Sequence, residues 1–96
     1  MNTLEITKKI LNKYNIRANK RYGQNFLIDD DILTGIVNVA DIKKEDLVIE
    51  IGPGLGNLTK YLLESAGYVI AVEIDKKMIE ILNDRFSKYK NFFFFF

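Results

Sequence analysis

Apolar positions along the chain follow first a helical and then a strand-like rhythm. Through residues 2–14, Ile6, Ile10, Leu11 and Tyr14 recur at helical spacing, and Asn2 with Glu5 three residues later forms a capping-box pattern. Asp29-Asp30-Asp31 stands before a second stripe of Ile32, Leu33, Ile36, Val37 and Ala40. Acids suit that position through capping and the helix dipole. The rhythm then changes. Val48, Ile49 and Ile51, and later Val69 to Val72, form short β-branched runs, as expected of parallel strands covered on both faces. Between them Leu58, Tyr61, Leu62 and Ala66 return to helical spacing, with Asn57 placed as N-cap and Gly67 as the C′ residue. After Asp75 a further helix presents Met78, Ile81, Leu82 and Phe86 as core. The pattern predicts an α/β chain: a helical N-terminal segment, then the first part of a parallel sheet.

The turn between the first strand and its helix carries the chemistry. Gly52-Pro53-Gly54-Leu55-Gly56 sits where a buried strand must bend into a helix, and glycine there lets backbone approach a ligand without a Cβ in the way. Three glycines can also serve an ordinary tight turn, and the loop alone leaves both readings open. Glu73 adds weight to the first. It ends the second strand 19 residues after Gly54, where a carboxylate can accept from both hydroxyls of a ribose. The spacing is G-x-G-x-G, with Asn57 where the dinucleotide fingerprint G-x-G-x-x-G has its last glycine. Such a loop is more typical of S-adenosylmethionine methyltransferases.

Composition narrows the classes further. The chain has 96 residues, enough for one small domain, and neither cysteine nor histidine. Disulfides, thiolate metal sites, serine–histidine triads and histidine-ligated zinc are thereby excluded. The three consecutive acids are read as a helix start and not as a metal site, because no second acidic cluster stands at calcium-loop spacing. No signal-peptide pattern and no bilayer-length apolar run is visible, so the cytoplasm is the expected compartment. The net charge of +1 conceals an asymmetry: residues 1–28 carry six Lys or Arg against one Glu, and residues 29–50 two Lys against seven acids. The basic segment, with Arg17, Lys20 and Arg21 ahead of Tyr22 to Ile28, suits contact with a polyanion; a solvated helix face is the simpler alternative.

Residues 92–96 are five consecutive phenylalanines. A third parallel strand is due near here, yet an unbroken Phe run is low in complexity and an aggregation hazard. It is expected to be a non-native tail. A base-stacking platform would instead need aromatics spaced on one strand face beside basic residues.

Taken together, Tyr22-Gly-Gln-Asn-Phe-Leu27, Glu50-Ile-Gly-Pro-Gly-Leu-Gly-Asn-Leu-Thr59 and Val72-Glu-Ile-Asp75 resemble the KsgA (RsmA) family of ribosomal RNA adenine dimethyltransferases. The likeness runs to about Asn91. It implies a Rossmann-like S-adenosylmethionine-dependent methyltransferase fold of which only the first part of the sheet is present. Residues 1–46 would form the N-terminal helical and basic segment, 47–91 the first βαβα part, and 92–96 the tail. It further implies S-adenosylmethionine as methyl donor, with no metal, and N6-dimethylation of two adjacent adenines near the 3′ end of small-subunit (16S) ribosomal RNA during ribosome biogenesis. The partner would be that RNA or the pre-30S particle, with no membrane and no obligate protein partner. By position, Asn25 and Leu27 fall to the methionine side of the cofactor, Gly52 and Gly54 to its methionine and sugar portions, Glu73 to the ribose, and Arg17, Lys20 and Arg21 to the RNA.

The chain lacks the family's Asn/Asp-Leu-Pro-Tyr/Phe box, which orients the target amine and stacks on the base. No catalytic residue is therefore assigned, and the chain alone is expected to be inactive, and partly unfolded or aggregated. Pro53 with Leu58-Thr59 favours the small-subunit branch over the relatives that methylate large-subunit (23S) RNA and confer macrolide resistance. An NAD-binding oxidoreductase half-domain and a non-catalytic nucleic-acid-binding relative are the remaining alternatives.

Overall fold

A computed structural model describes residues 1–16 and 26–95. Helices α1 (Thr3–Lys13) and α2 (Asp30–Ala40) precede β1 (Leu47–Ile51), α3 (Asn57–Ser65), β2 (Tyr68–Val72), α4 (Lys76–Arg85) and β3 (Phe92–Phe95). Three helix starts match the sequence reading. The side chains of Asn2, Asp29 and Asp75 each accept backbone N–H groups of their own first turn, replacing bonds that a helix N-terminus cannot make internally.

The other two expected helix signals act differently. Gly56, not Asn57, is the N-cap of α3, with φ +89° and no side-chain cap. The chain enters α3 through a left-handed residue, and Asn57 becomes the first helical residue with its side chain turned inward. Gly67 is not a left-handed C′ residue. Helix α3 ends at Ala66 in extended backbone, and a Cβ on Gly67 would lie 2.2 Å from the carbonyl oxygen of Lys44. That glycine is required by the close passage of the turn before β1.

The sheet order is β1-β2-β3, all parallel, with Leu47 opposite Tyr68 and Val69 opposite Phe92. The phenylalanine run thus forms the third strand. Phe92 packs edge-on against Phe86 with ring centroids 5.4 Å apart, which ties the strand to the core. Val37, Leu62, Leu63, Ala66, Val69, Leu82 and Phe86 form the main core between the sheet and α2, α3 and α4. A second cluster of Leu55, Met78 and Ile81 receives Ile10 and Leu11 of α1 and Tyr14 at its C-cap, together with Phe26.

Among the described residues only one face of the sheet is covered, contrary to the expectation of burial on both. Leu47, Ile49, Ile51, Tyr68, Phe93 and Phe95 share the other face, and Ile49 and Ile51 are 60% and 75% exposed. Two successive right-handed crossovers in one direction place α3 and α4 on the same side, leaving the opposite face bare.

Candidate functional site

The carboxyl ends of β1 and β2 open into a cleft of about 550 Å³, within the size range of small-ligand sites. One wall is Gly52, Pro53, Gly54 and Leu55; the second is Glu73, Ile74, Asp75 and Met78; Phe26 and Leu27 form a third. The loop hangs from the sheet because Gly52 N–H continues the ladder to the carbonyl of Val72 at 2.8 Å. Gly52 and Gly54 have φ of +67° and +59°, and a Cβ on either would meet nothing within 4 Å. Their backbone is bare toward the cleft. Gly56 has the opposite surroundings: a Cβ there would lie 2.5 Å from the Phe86 ring. The first two glycines expose backbone; the third admits α4.

Glu73 is 8% exposed and organises the floor of the cleft. Its Oε1 accepts the Gly54 N–H at 3.1 Å, and its Oε2 accepts the N–H groups of Ile74 at 3.0 Å and Asp75 at 3.1 Å. The carboxylate thus holds the glycine loop against the end of β2. A carboxylate offers about four acceptor sites, so capacity remains for a ligand hydroxyl. The sequence reading foresaw the acid but not its grip on the loop.

Glu50 lines the same cleft and was not singled out from sequence. Its side chain occupies the covered face of β1 and accepts the Thr59 hydroxyl of α3. Burial pushes its carboxyl above the usual range; the Thr59 bond opposes this and the Glu73 charge adds to it. The signal was available: a carboxylate amid Leu-Val-Ile-Glu-Ile has no reason to lie in a strand interior unless the site needs it.

Asn57 was also missed as a wall residue. It is buried, and its amide bonds Thr7, Leu27 and Arg85. Of the sequence-predicted residues, Leu27, Gly52, Gly54 and Glu73 come together at this cleft. Asn25, Arg17, Lys20 and Arg21 lie outside the described residues. Asp29 caps α2, and Asp30 accepts the Thr3 and Tyr61 hydroxyls. Among the described residues no group of three or more His, Cys, Asp or Glu gathers as a metal site would require. No helix among them is long and apolar enough to cross a membrane.

A glycine-lined cleft at parallel-strand ends, floored by a carboxylate, fits a ligand that offers ribose hydroxyls. Comparison with known proteins identifies the family. The family model for ribosomal RNA adenine dimethylase matches residues 15–93. Ribosomal RNA small subunit methyltransferase A of Clostridium botulinum (strain ATCC 19397 / Type A) is 54% identical over 86 residues, covering 90% of this chain and 31% of the relative. The Leuconostoc mesenteroides protein of the same name is 53% identical over 85 residues, covering 88% and 29%. The chain therefore spans about a third of the length of these relatives. Among solved structures, a dimethyladenosine transferase from Plasmodium falciparum superposes with TM-score 0.67 at 40% identity, covering 73% of this chain and 27% of that one. The 23S rRNA methyltransferase ErmE superposes with TM-score 0.69 at 32% identity, covering 74% and 29%. The three parallel strands and their helices are the first part of a Rossmann-like, S-adenosylmethionine-dependent methyltransferase fold, and the chain belongs to the ribosomal RNA adenine dimethylase family.

Proposed function

We propose that this chain carries the S-adenosylmethionine-binding part of an enzyme that dimethylates adenine N6 in small-subunit ribosomal RNA in the cytoplasm. The observation that carries the reading is the buried Glu73 carboxylate clamped to Gly54, beside two glycines whose backbone faces open space. In that reading Glu73 accepts from a ribose hydroxyl, the bare backbone of Gly52 and Gly54 admits the sugar and methionine portions, and Leu27 and Asn25 are assigned to the methionine end. When bound, S-adenosylmethionine supplies a methyl group on a sulfonium, which leaves by in-line displacement and asks the protein mainly for positioning. Glu73 and the glycine loop hold the donor; no residue here is assigned to the target base. Arg17, Lys20 and Arg21 lie on the RNA side in this reading. Small-subunit RNA is favoured over large-subunit RNA because relatives at 53–54% identity bear the small-subunit name.

Titration calorimetry of the chain with S-adenosylmethionine and with NADH tests the reading. Binding of the first and not the second is expected, and Glu73→Gln is expected to weaken it at least about tenfold through loss of charge-assisted hydrogen bonds. Binding of NADH alone, or of neither, would overturn it. With isotopically labelled methyl donor and small-subunit particles, the chain by itself is expected to transfer no label.

A further inference from the structure

We infer that Asn57 is a positioning residue that ties the Phe26–Leu27 wall of the cleft to the glycine loop, with Arg85 fixing its orientation; this rests on reading the cleft as a cofactor site. Asn57 Nδ2 donates to the carbonyl of Leu27 at 3.1 Å and to Thr7 Oγ1 at 3.0 Å. Its Oδ1 accepts from Arg85 Nη1 at 2.9 Å, and the same nitrogen donates to the carbonyl of Leu55 at 2.8 Å. One amide thereby joins α1, the segment before α2, the glycine loop and α4.

The orientation is dictated by chemistry. A guanidinium only donates and a carbonyl only accepts, so the amide has one satisfactory setting between Arg85 and Leu27. Among the described residues no backbone hydrogen bond joins Phe26–Ile28 to residues 52–56. Phe26 packs on the Leu55–Met78–Ile81 cluster, which holds its ring but leaves the backbone register beside it unset. The Leu27 carbonyl bond sets it. Arg85 is itself largely out of water, which lowers its pKa, and it rests 5.1 Å from the Phe86 ring centroid. It is therefore a fixed anchor rather than a roaming surface cation.

Asn57→Asp separates positioning from stability. Aspartate keeps an acceptor for Arg85, now as an ion pair, but loses both donors and sets a carboxylate oxygen against the Leu27 carbonyl. Two measurements are made on the whole chain: the backbone carbonyl-carbon resonances by NMR without ligand, and calorimetric titration with S-adenosylmethionine. Asp30→Asn, which disturbs the α1–α2–α3 contact away from the cleft, is the control. Expected for Asn57→Asp are an upfield move of the Leu27 carbonyl-carbon resonance as its hydrogen bond is lost, retained helical shifts in α3 and α4, and at least about tenfold weaker cofactor binding. Asp30→Asn is expected to stay within about twofold of wild type in binding. An unchanged Leu27 carbonyl-carbon resonance, or unchanged affinity beside a binding wild type, would overturn the inference. A wild-type chain that does not bind overturns the reading of the cleft instead, and the carbonyl comparison still decides whether the tie exists.

Discussion

Glu50 and Asp30 are two carboxylates pushed in opposite directions, and each leaves a distinct trace in the dependence of stability on pH. Asp30 is held at about 2, against an ordinary 3.8, chiefly by the Thr3 hydroxyl, then by Tyr61 and the Thr3 N–H. A depressed folded value means its stabilisation is complete above the unfolded value and is lost as pH falls from about 3.8 toward 2. Asp30→Asn should therefore lower Tm at neutral pH, with the gap to wild type closing across that window in thermal melts. Glu50 has the opposite sign. Its carboxyl is raised by burial, so folding is penalised once pH exceeds the unfolded value, and the penalty is complete above the folded one. Glu50→Gln, which still accepts the Thr59 hydroxyl, should raise Tm at neutral pH and change little in acid. An equal gain at both would show that Glu50 is not buried as a carboxylate. At Gly56 two costs combine, a left-handed φ and a Cβ 2.5 Å from Phe86. Gly56→Ala should destabilise by about 2–5 kcal/mol in denaturant titration.

At the scale of elements, the phenylalanine strand divides its side chains by alternation. Phe92 joins the core, while Phe93 and Phe95 stand on the bare face. Replacing Phe93 and Phe95 together with Thr should preserve β3, since Thr suits a strand, while lowering self-association in sedimentation velocity. Loss of strand signal in the double variant would mean that those rings hold the strand in place. The elements themselves were largely legible in the sequence because their signals are local. Asn2, Asp29 and Asp75 cap within three residues of themselves, and Met78, Ile81, Leu82 and Phe86 share a helix face whatever lies opposite. The glycine loop and Glu73 were legible because the strand–turn–helix geometry ties spacing to place. What escaped depends on distant partners. Asn57 reads as a helix cap until Thr7 and Arg85 are brought to it, and Gly67 reads as a helix stop until the carbonyl of Lys44 passes beside it. The bare sheet face follows from crossover direction, which side-chain pattern does not encode: Ile49 and Ile51 look as buried as Val69.

For the molecule as a whole, the bare face outweighs any single residue. Leu47, Ile49, Ile51, Tyr68, Phe93 and Phe95 form a contiguous apolar surface beside the outer edge of β1, which no other described strand pairs, and such surfaces drive association. The isolated chain should bind a hydrophobic dye strongly and self-associate as its concentration rises; a sample that stays monomeric and does not bind the dye would contradict this. The N-terminal helix has a different consequence, in time rather than space. Helix α1 reaches Asn57 through Thr7, 50 residues on, and Asp84 through Lys13, 71 residues on. At bacterial-to-eukaryotic synthesis rates of 5–20 residues per second, roughly 4–14 s separate the appearance of Lys13 from that of its partner. An 11-residue helix is marginal by itself, so α1 emerges from the ribosome before the partners it docks on and must wait for them. The third wall of the cleft, tied to Asn57 through Leu27, must wait for the glycine loop to be made, so on a growing chain the site closes from its C-terminal side.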